Sequence, residues 1–289
     1  MMNNNLNVEY DLIVQQWENL TLANDFLFGK IMSDKSLCTE MLKRILPHID
    51  IGDINFPEVQ KSFRDGIDTR GIRLDIYSKS DGKVYDVEIQ TTNEKNLARR
   101  SRAYHIGIGN DILNRDTVKE THTYRDLPDA YVIFICTFDP FRQGRHIYTF
   151  ENICCEDKNL RLNDGAVTIF LNAKGKIDDV SPELKAFLDL IMGRTSDDPF
   201  VREIEKQLEF AKHNSEWRRD FMMMSIHDQD KLIEGMDRGI AEGIAIGKAE
   251  AHQSMAIQMS REGLSVDMIA RIVKESVSVI QGWIDEANA

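Results

Sequence analysis

Apolar residues recur at helical spacing from Phe26 to Leu46, Asn24 or Asp25 stands where an N-cap belongs, and Pro47 ends the run. This pattern predicts one helix. Residues 54–63 mix polarity around Pro57 and read as a weak edge strand. The period then shifts to two. Ile72–Tyr77 and Lys83–Thr91 alternate on either side of Asp81-Gly82, a strong hairpin signal. Leu97, Tyr104, Ile108 and Ile112 return to helical spacing within 96–114. Ala130–Phe138 is an almost unbroken apolar run, as expected of a strand buried on both faces. His146–Phe150 and Ala166–Leu171 read as two more strands, and Ser181-Pro182-Glu183 opens a short helix with serine at the cap.

Beyond Asp197-Asp198-Pro199 the strand signal stops. Residues 200–252 read as helix throughout, with Gly235, Gly239, Gly243 and Gly247 at every fourth position beside Leu232, Met236, Ile240 and Ile244. An interior glycine costs roughly 1 kcal/mol relative to alanine in a helix. Two readings explain four of them: close helix–helix contact, hence self-association, or an expanded tetrapeptide repeat in a solvated spacer. The spacer reading is preferred, because close packing at this spacing is best known from membranes. Residues 253–289 read as three short helices resembling a helix-turn-helix unit. Its charges are Arg261, Arg271 and Lys274 against Glu262, Asp267, Glu275, Asp285 and Glu286. That balance suits protein docking or oligomerisation better than phosphate binding. The expected organisation is thus a lead-in (1–20), an α/β domain (21–199), a helical spacer (200–252) and the small helical unit (253–289).

Composition narrows the function. The net charge of −12 argues against a protein that coats DNA non-specifically, so any nucleic acid must meet a local basic patch or bound metal ions. The longest apolar run, AYVIFIC (130–136), is too short to span a membrane, and the first residues do not resemble a secretory signal. Cys38, Cys136, Cys154 and Cys155 form no CxxC pair and read as reduced thiols of a cytosolic protein.

The hairpin carries the candidate chemistry. With Asp81-Gly82 as the turn, Ser80 pairs with Lys83 and Asp75 faces Glu88; a four-residue loop would keep the same partners. Leu74, Ile76, Val87 and Ile89 share one face, and Arg73, Asp75, Tyr77, Asp86, Glu88 and Gln90 the other. Like charges across a ladder repel. Proton uptake by one carboxylate or binding of a divalent cation relieves the repulsion; a solvated face eased by Arg73 and Lys79 is the plainer alternative. Carboxylates, a backbone carbonyl and water make a hard oxygen site suited to magnesium or manganese. The next helix opens with Lys95, Arg99, Arg100 and Arg102, the best candidate for a phosphate-binding wall.

The order helix, three strands, helix, strand, with aspartate on the second strand and Glu-x-Gln on the third, resembles the PD-(D/E)XK nuclease superfamily. The closer resemblance is to the recombination-promoting nuclease family, also described as PD-(D/E)XK family transposases. It is carried by Asn24-Asp25-Phe-Leu-Phe28, Arg73-Leu-Asp-Ile-Tyr77, Tyr85-Asp-Val-Glu-Ile-Gln-Thr-Thr-Asn93, Arg100-Ser-Arg-Ala-Tyr104, Tyr131 to Phe141 and Arg145 to Phe150, within residues 20–240. The resemblance implies an α/β, restriction-endonuclease-like core with a C-terminal all-helical extension. It implies a bacterial, cytoplasmic, magnesium-dependent (or manganese-dependent) DNA endonuclease acting in recombination, in transposition or against foreign DNA. Asp75, Glu88 and the Ile89 carbonyl would hold the metal, with Glu40 as an extra acidic ligand, and Arg102 and Tyr104 would face the phosphate or brace the site. Gln90 stands at the superfamily's lysine position. Glutamine can orient water but carries no charge, so a cation lent by Arg73, Arg99 or Arg102 is one expectation. The rival is a lapsed nuclease fold acting as a DNA- or protein-binding assembly module, with the C-terminal helices holding a homo-oligomer together.

Overall fold

The structure, a computed structural model, describes residues 12–63, 72–80, 82–113 and 123–288. Helix α1 (12–18) leads into α2 (Asp25–Met32) and α3 (Lys35–Ile45). The single helix expected over 26–46 is therefore two. Ser33 ends α2, its Oγ bonding the Lys30 carbonyl, and the Asp34 side chain accepts the Leu37 N–H to start α3. Short polar side chains that bond their own backbone compete with helix continuation. At the start of α2, Asn24 is the cap, accepting from the Leu27 N–H.

Six strands form one sheet in the order β1-β2-β3-β4-β6-β5. They are β1 (Glu58–Phe63), β2 (Ile72–Ser80), β3 (Lys83–Gln90), β4 (Asp129–Cys136), β5 (Ile147–Phe150) and β6 (Ala166–Asn172). The meander β1-β2-β3 is antiparallel, β4 and β6 run parallel to β3, and β5 closes the far edge antiparallel. The hairpin register is the expected one: Ser80 pairs with Lys83, Tyr77 with Asp86 and Ile76 with Val87. Asp81 and the side chains of Arg73 and Leu74, all part of the hairpin reading, lie outside the described residues.

Both sheet faces are covered. On one, Ile76, Val87, Ile89, Ile133, Ile135 and Leu171 pack against α2, α3, α5 (Pro182–Ile191) and α6 (Pro199–His213). On the other, Tyr77, Val132, Phe134 and Phe170 pack against Leu97, Tyr104 and Ile108 of α4 (Leu97–Leu113). The carboxylate face of the hairpin is thus a second interior, not a solvated surface: Asp86 and Glu88 are 0% and 1% exposed. Alternation in β3 reflected two different interiors.

The first compact unit ends at Phe221 and the second begins at Met222. The helices after residue 199 begin inside the first core, where Phe200, Val201 and Ile204 join α3 and α5, and Phe221 packs on Trp17 and Phe26. α7 (Ser215–Arg261) is one continuous helix, so the first of the three short helices expected after 253 is its last stretch. Gly263, at φ +89, ends it. α8 (Val266–Val273) and α9 (Val277–Asn288) follow, and Ile269, Val273, Ile280 and Ile284 pack around Ala256. Among the described residues no helix is long and apolar enough to cross a membrane.

Candidate active site at the open end of the hairpin

At Asp75 the regular backbone pairing of β2 with β3 gives way to side-chain bonds. The β1–β2 ladder passes from Val59–Ile76 to Lys61–Leu74, and between them Gln60 takes φ 54. A left-handed non-glycine residue costs roughly 1–2 kcal/mol, and such strain gathers at functional sites. The β2–β3 ladder stops at Ile76–Val87. One step further the side chains replace the backbone pairing. The Asp75 N–H donates to Glu88 Oε1 at 2.9 Å, and the Ile89 N–H donates to Asp75 Oδ2 at 3.3 Å. Each carboxylate is held by an amide of the opposite strand, which eases the repulsion between them.

α4 supplies the cation. Arg100 donates to Gln90 Oε1 at 2.8 Å and to Glu88 Oε2 at 3.1 Å, and its Nη2 lies 2.5 Å from the Tyr104 hydroxyl. Tyr104 in turn donates to Glu88 Oε2 at 3.2 Å. The guanidinium also lies over the Tyr104 and Phe134 rings, 5.4 and 5.9 Å from their centroids.

Of the residues singled out from the sequence, Asp75, Glu88, Ile89, Gln90 and Tyr104 come together here. Arg102 does not: it is exposed on α4, as is Arg99. The cation beside the carboxylates is Arg100, and its signal was its spacing. Residues four apart share a helix face, so Arg100 and Tyr104 align while Arg102 points about 200° away from Tyr104. Glu40 is also elsewhere. It sits on α3, against the other face of the sheet, bonded to Arg44 at 3.0 Å. The first-helix acid near the site is Asp25, which lines a cleft of about 450 Å³ together with Asn24, Ile89 and Gln90. Asn24-Asp25 reads locally as a cap; with Asn24 doing the capping, Asp25 is left on the cleft wall.

The electrostatics are those of crowded acid. Glu88 is pushed up to about 8, by burial first and then by the Asp75 charge, while the Asp75 amide, Arg100 and Tyr104 pull it back. Asp86 is raised well above the ordinary carboxylate range by burial, then by Glu88 and Asp75, and neither of its oxygens has a hydrogen-bond partner among the described residues. A carboxyl whose folded pKa exceeds its unfolded value stabilises the fold below the unfolded pKa, and that contribution is lost as pH rises through the folded one. Glu88, with an ordinary value of 4.5 and a folded value of about 8, sets that window. In chelator, wild-type stability should therefore fall between about pH 5 and about pH 8.5. Asp86→Asn, which cannot ionise, should gain on wild type by on the order of 1–3 kcal/mol as pH rises from the lower to the upper value, because Asp86 is also held above its ordinary range. Thermal melts at the two pH values check this.

The donor set fits a hard divalent cation. It offers carboxylate oxygens, and among the described residues the buried acid exceeds the one guanidinium bonded to it. Among the described residues no three His, Cys, Asp or Glu side chains converge on one ion-sized point, so such an ion would complete its coordination with a backbone carbonyl and water.

No curated protein and no solved structure matches this chain. A family model described as PD-(D/E)XK nuclease family transposase matches residues 22–189, a stretch that contains Asp75, Glu88, Gln90, Arg100 and Tyr104. That match takes in more than half of the chain and the whole of the facing-carboxylate site, and the chain belongs to the PD-(D/E)XK nuclease family transposases.

Proposed function

We propose that the protein is a DNA endonuclease dependent on magnesium, with manganese as a substitute, and that Asp75, Glu88 and the Ile89 carbonyl hold the ion. The observation that carries this reading is the pair of carboxylates cross-bonded to the opposite strands' amides at the end of the ladder, beside a held guanidinium. A bound divalent ion supplies Lewis acidity to a phosphate oxygen and acidifies a water. The chain's own residues do the rest. Gln90 orients water through its amide. Arg100 presents a fixed positive charge, the one the superfamily's lysine would otherwise bring, to a phosphate that gains charge as it is attacked. Tyr104 positions Arg100 and shares Glu88 with it. Asp25, on the cleft wall, is available to a second ion or to water. The biological setting we favour is recombination, transposition or attack on foreign DNA in a bacterial cytoplasm.

Cleavage of supercoiled plasmid tests this. Nicking should appear with magnesium or manganese and vanish with chelator. Intact plasmid under all three conditions, with no metal binding by calorimetry, would overturn the proposal in favour of a lapsed nuclease fold acting as a binding module.

A further inference from the structure

β3, β4 and β6 run parallel, so their carboxyl ends share one edge of the sheet, the edge at which open α/β sheets bind ligands. β3 ends there in Gln90, beside the carboxylates. The loops that leave β4 (137–146) and β6 (173–181) continue that edge. The Thr137 N–H donates to the Gln90 carbonyl at 3.0 Å, and the Ala173 N–H to the Cys136 carbonyl at 2.9 Å.

The two loops are tied together. Asp139 gathers the first: its carboxylate accepts the N–H groups of Phe141, Arg142 and Gly144 at 3.1, 2.8 and 2.7 Å and the Tyr148 hydroxyl at 2.9 Å. The Gly144 carbonyl takes the Lys176 and Ile177 N–H groups of the second loop at 2.7 and 3.0 Å. The His146 ring lies so close to Gly175 that a Cβ there would stand 2.4 Å from it. Within this frame Arg142 is held at φ 57, a left-handed backbone uncommon outside glycine.

What the frame presents to solvent is positive. Arg142, Lys174 and Lys176 are exposed, and no carboxylate pairs with any of them among the described residues. Arg145 adds a partly satisfied fourth cation, 3.3 Å from Asp179. The acids of the same loops are committed elsewhere. Asp139 holds its own loop, Asp179 also accepts the His146 N–H at 2.9 Å, and Asp178 lines a cleft with Arg44 on the α3 side of the sheet. In a chain of net charge −12, three unpaired cations on two joined loops are a local reversal of sign.

We infer that these loops hold the backbone of the DNA substrate beside the carboxylate site, with Arg142, Lys174 and Lys176 each facing a phosphate. The inference takes its substrate from the endonuclease reading above. Strands lie roughly 4.8 Å apart, so β6 ends roughly 10 Å from β3, about three base-pair steps along a duplex. The phosphates held here therefore flank the one that is attacked. Because the loops are already fixed, little ordering is lost when DNA binds. Point charges on phosphates position a duplex without reading its bases, so the loops contribute affinity and register, not sequence preference.

Fluorescence anisotropy of a labelled DNA duplex, titrated with the full-length chain in calcium, tests this; calcium takes the same hard oxygen ligands. Arg142→Gln combined with Lys174→Gln and Lys176→Gln should weaken binding on the order of 10–100-fold at ~0.1 M salt and lower the slope of log affinity against log salt by about 2–3. Lys43→Gln combined with Lys158→Gln and Lys185→Gln removes the same charge from α3, from the loop before β6 and from α5, and should leave that slope near wild type. Asp139→Ala should weaken binding although it removes a negative charge, because the first loop loses its anchor. In the first triple variant, manganese affinity by calorimetry and the melting temperature should stay near wild type, which separates lost phosphate contact from unfolding. Equal slopes for the two triple variants overturn the inference. So does tighter binding by Asp139→Ala, or a wild type that does not bind the duplex. Plasmid nicking decides the endonuclease reading separately. A chain that binds through these loops without nicking keeps the inference and loses that reading; one that nicks, with equal slopes, does the reverse.

Discussion

Asp75→Ala is expected to lower metal-dependent nicking by about a thousandfold or more, or about 4 kcal/mol of transition-state stabilisation. That is the scale of the several kcal/mol a Lewis-acid ion contributes to phosphoryl chemistry. The fold should not suffer in proportion. The Asp75 side chain accepts the Ile89 N–H at 3.3 Å, a bond worth about 1 kcal/mol. Its charge also raises Glu88, so removing it relieves repulsion that offsets the lost bond. Activity and ion affinity should collapse while the melting temperature in chelator stays near wild type or rises. Calorimetric titration with manganese and a thermal melt on the same preparation measure both. Because the two carboxylates act as a unit, the double change with Glu88→Ala should be scarcely slower than either single change. Full activity in Asp75→Ala would remove this carboxylate from the site. A large fall in melting temperature would make it structural.

The second large effect concerns Arg100. Arg100→Ala should reduce the maximal rate by on the order of 10²–10³, as for removal of one preorganised electrostatic donor. Arg100→Lys should recover little, because a lysine cannot reproduce the fork that reaches Gln90, Glu88 and Tyr104 together. The decisive variant adds Gln90→Lys to Arg100→Ala. If the guanidinium supplies the charge absent from position 90, a lysine there should restore a substantial part of the rate. A purely bracing role predicts no rescue. A second readout follows from the charges: Arg100 lowers the proton affinity of Glu88, so its loss should shift ion binding to higher pH, and Gln90→Lys should shift it back.

The meander and its register were legible along the chain because a two-residue turn and a period of two leave one alignment in which the apolar residues share a face. That alignment brought Asp75 to Glu88, and Ser80–Lys83 and Tyr77–Asp86 sit as it requires. The buried strand β4, the serine-capped α5 and the family resemblance, which the family model bears out over residues 22–189, were legible for the same reason: each rests on local periodicity, capping or motif. The split between α2 and α3 was also written locally, in Ser33-Asp34, but apolar periodicity ran through it. What the chain did not disclose is what lies above each face. Whether Asp86 and Glu88 are wet or buried depends on α4 settling over them, a contact between segments separated by a turn and by the sheet's own twist. The same docking angle admits Arg100 and leaves Arg99 and Arg102 in solvent, a choice among neighbouring cations that composition cannot make. Glu40 and Asp25 exchange places for a like reason: helix periodicity fixes which residues share a face, but only the packing of α2 and α3 on the sheet decides which face meets the cleft. The sequence by itself determined the strands, their register and the facing carboxylates, because those follow from interactions a few residues apart. Tertiary structure alone decided their burial, their proton affinity and the identity of the cation beside them, because desolvation and charge pairing depend on what the rest of the chain brings within a few ångströms.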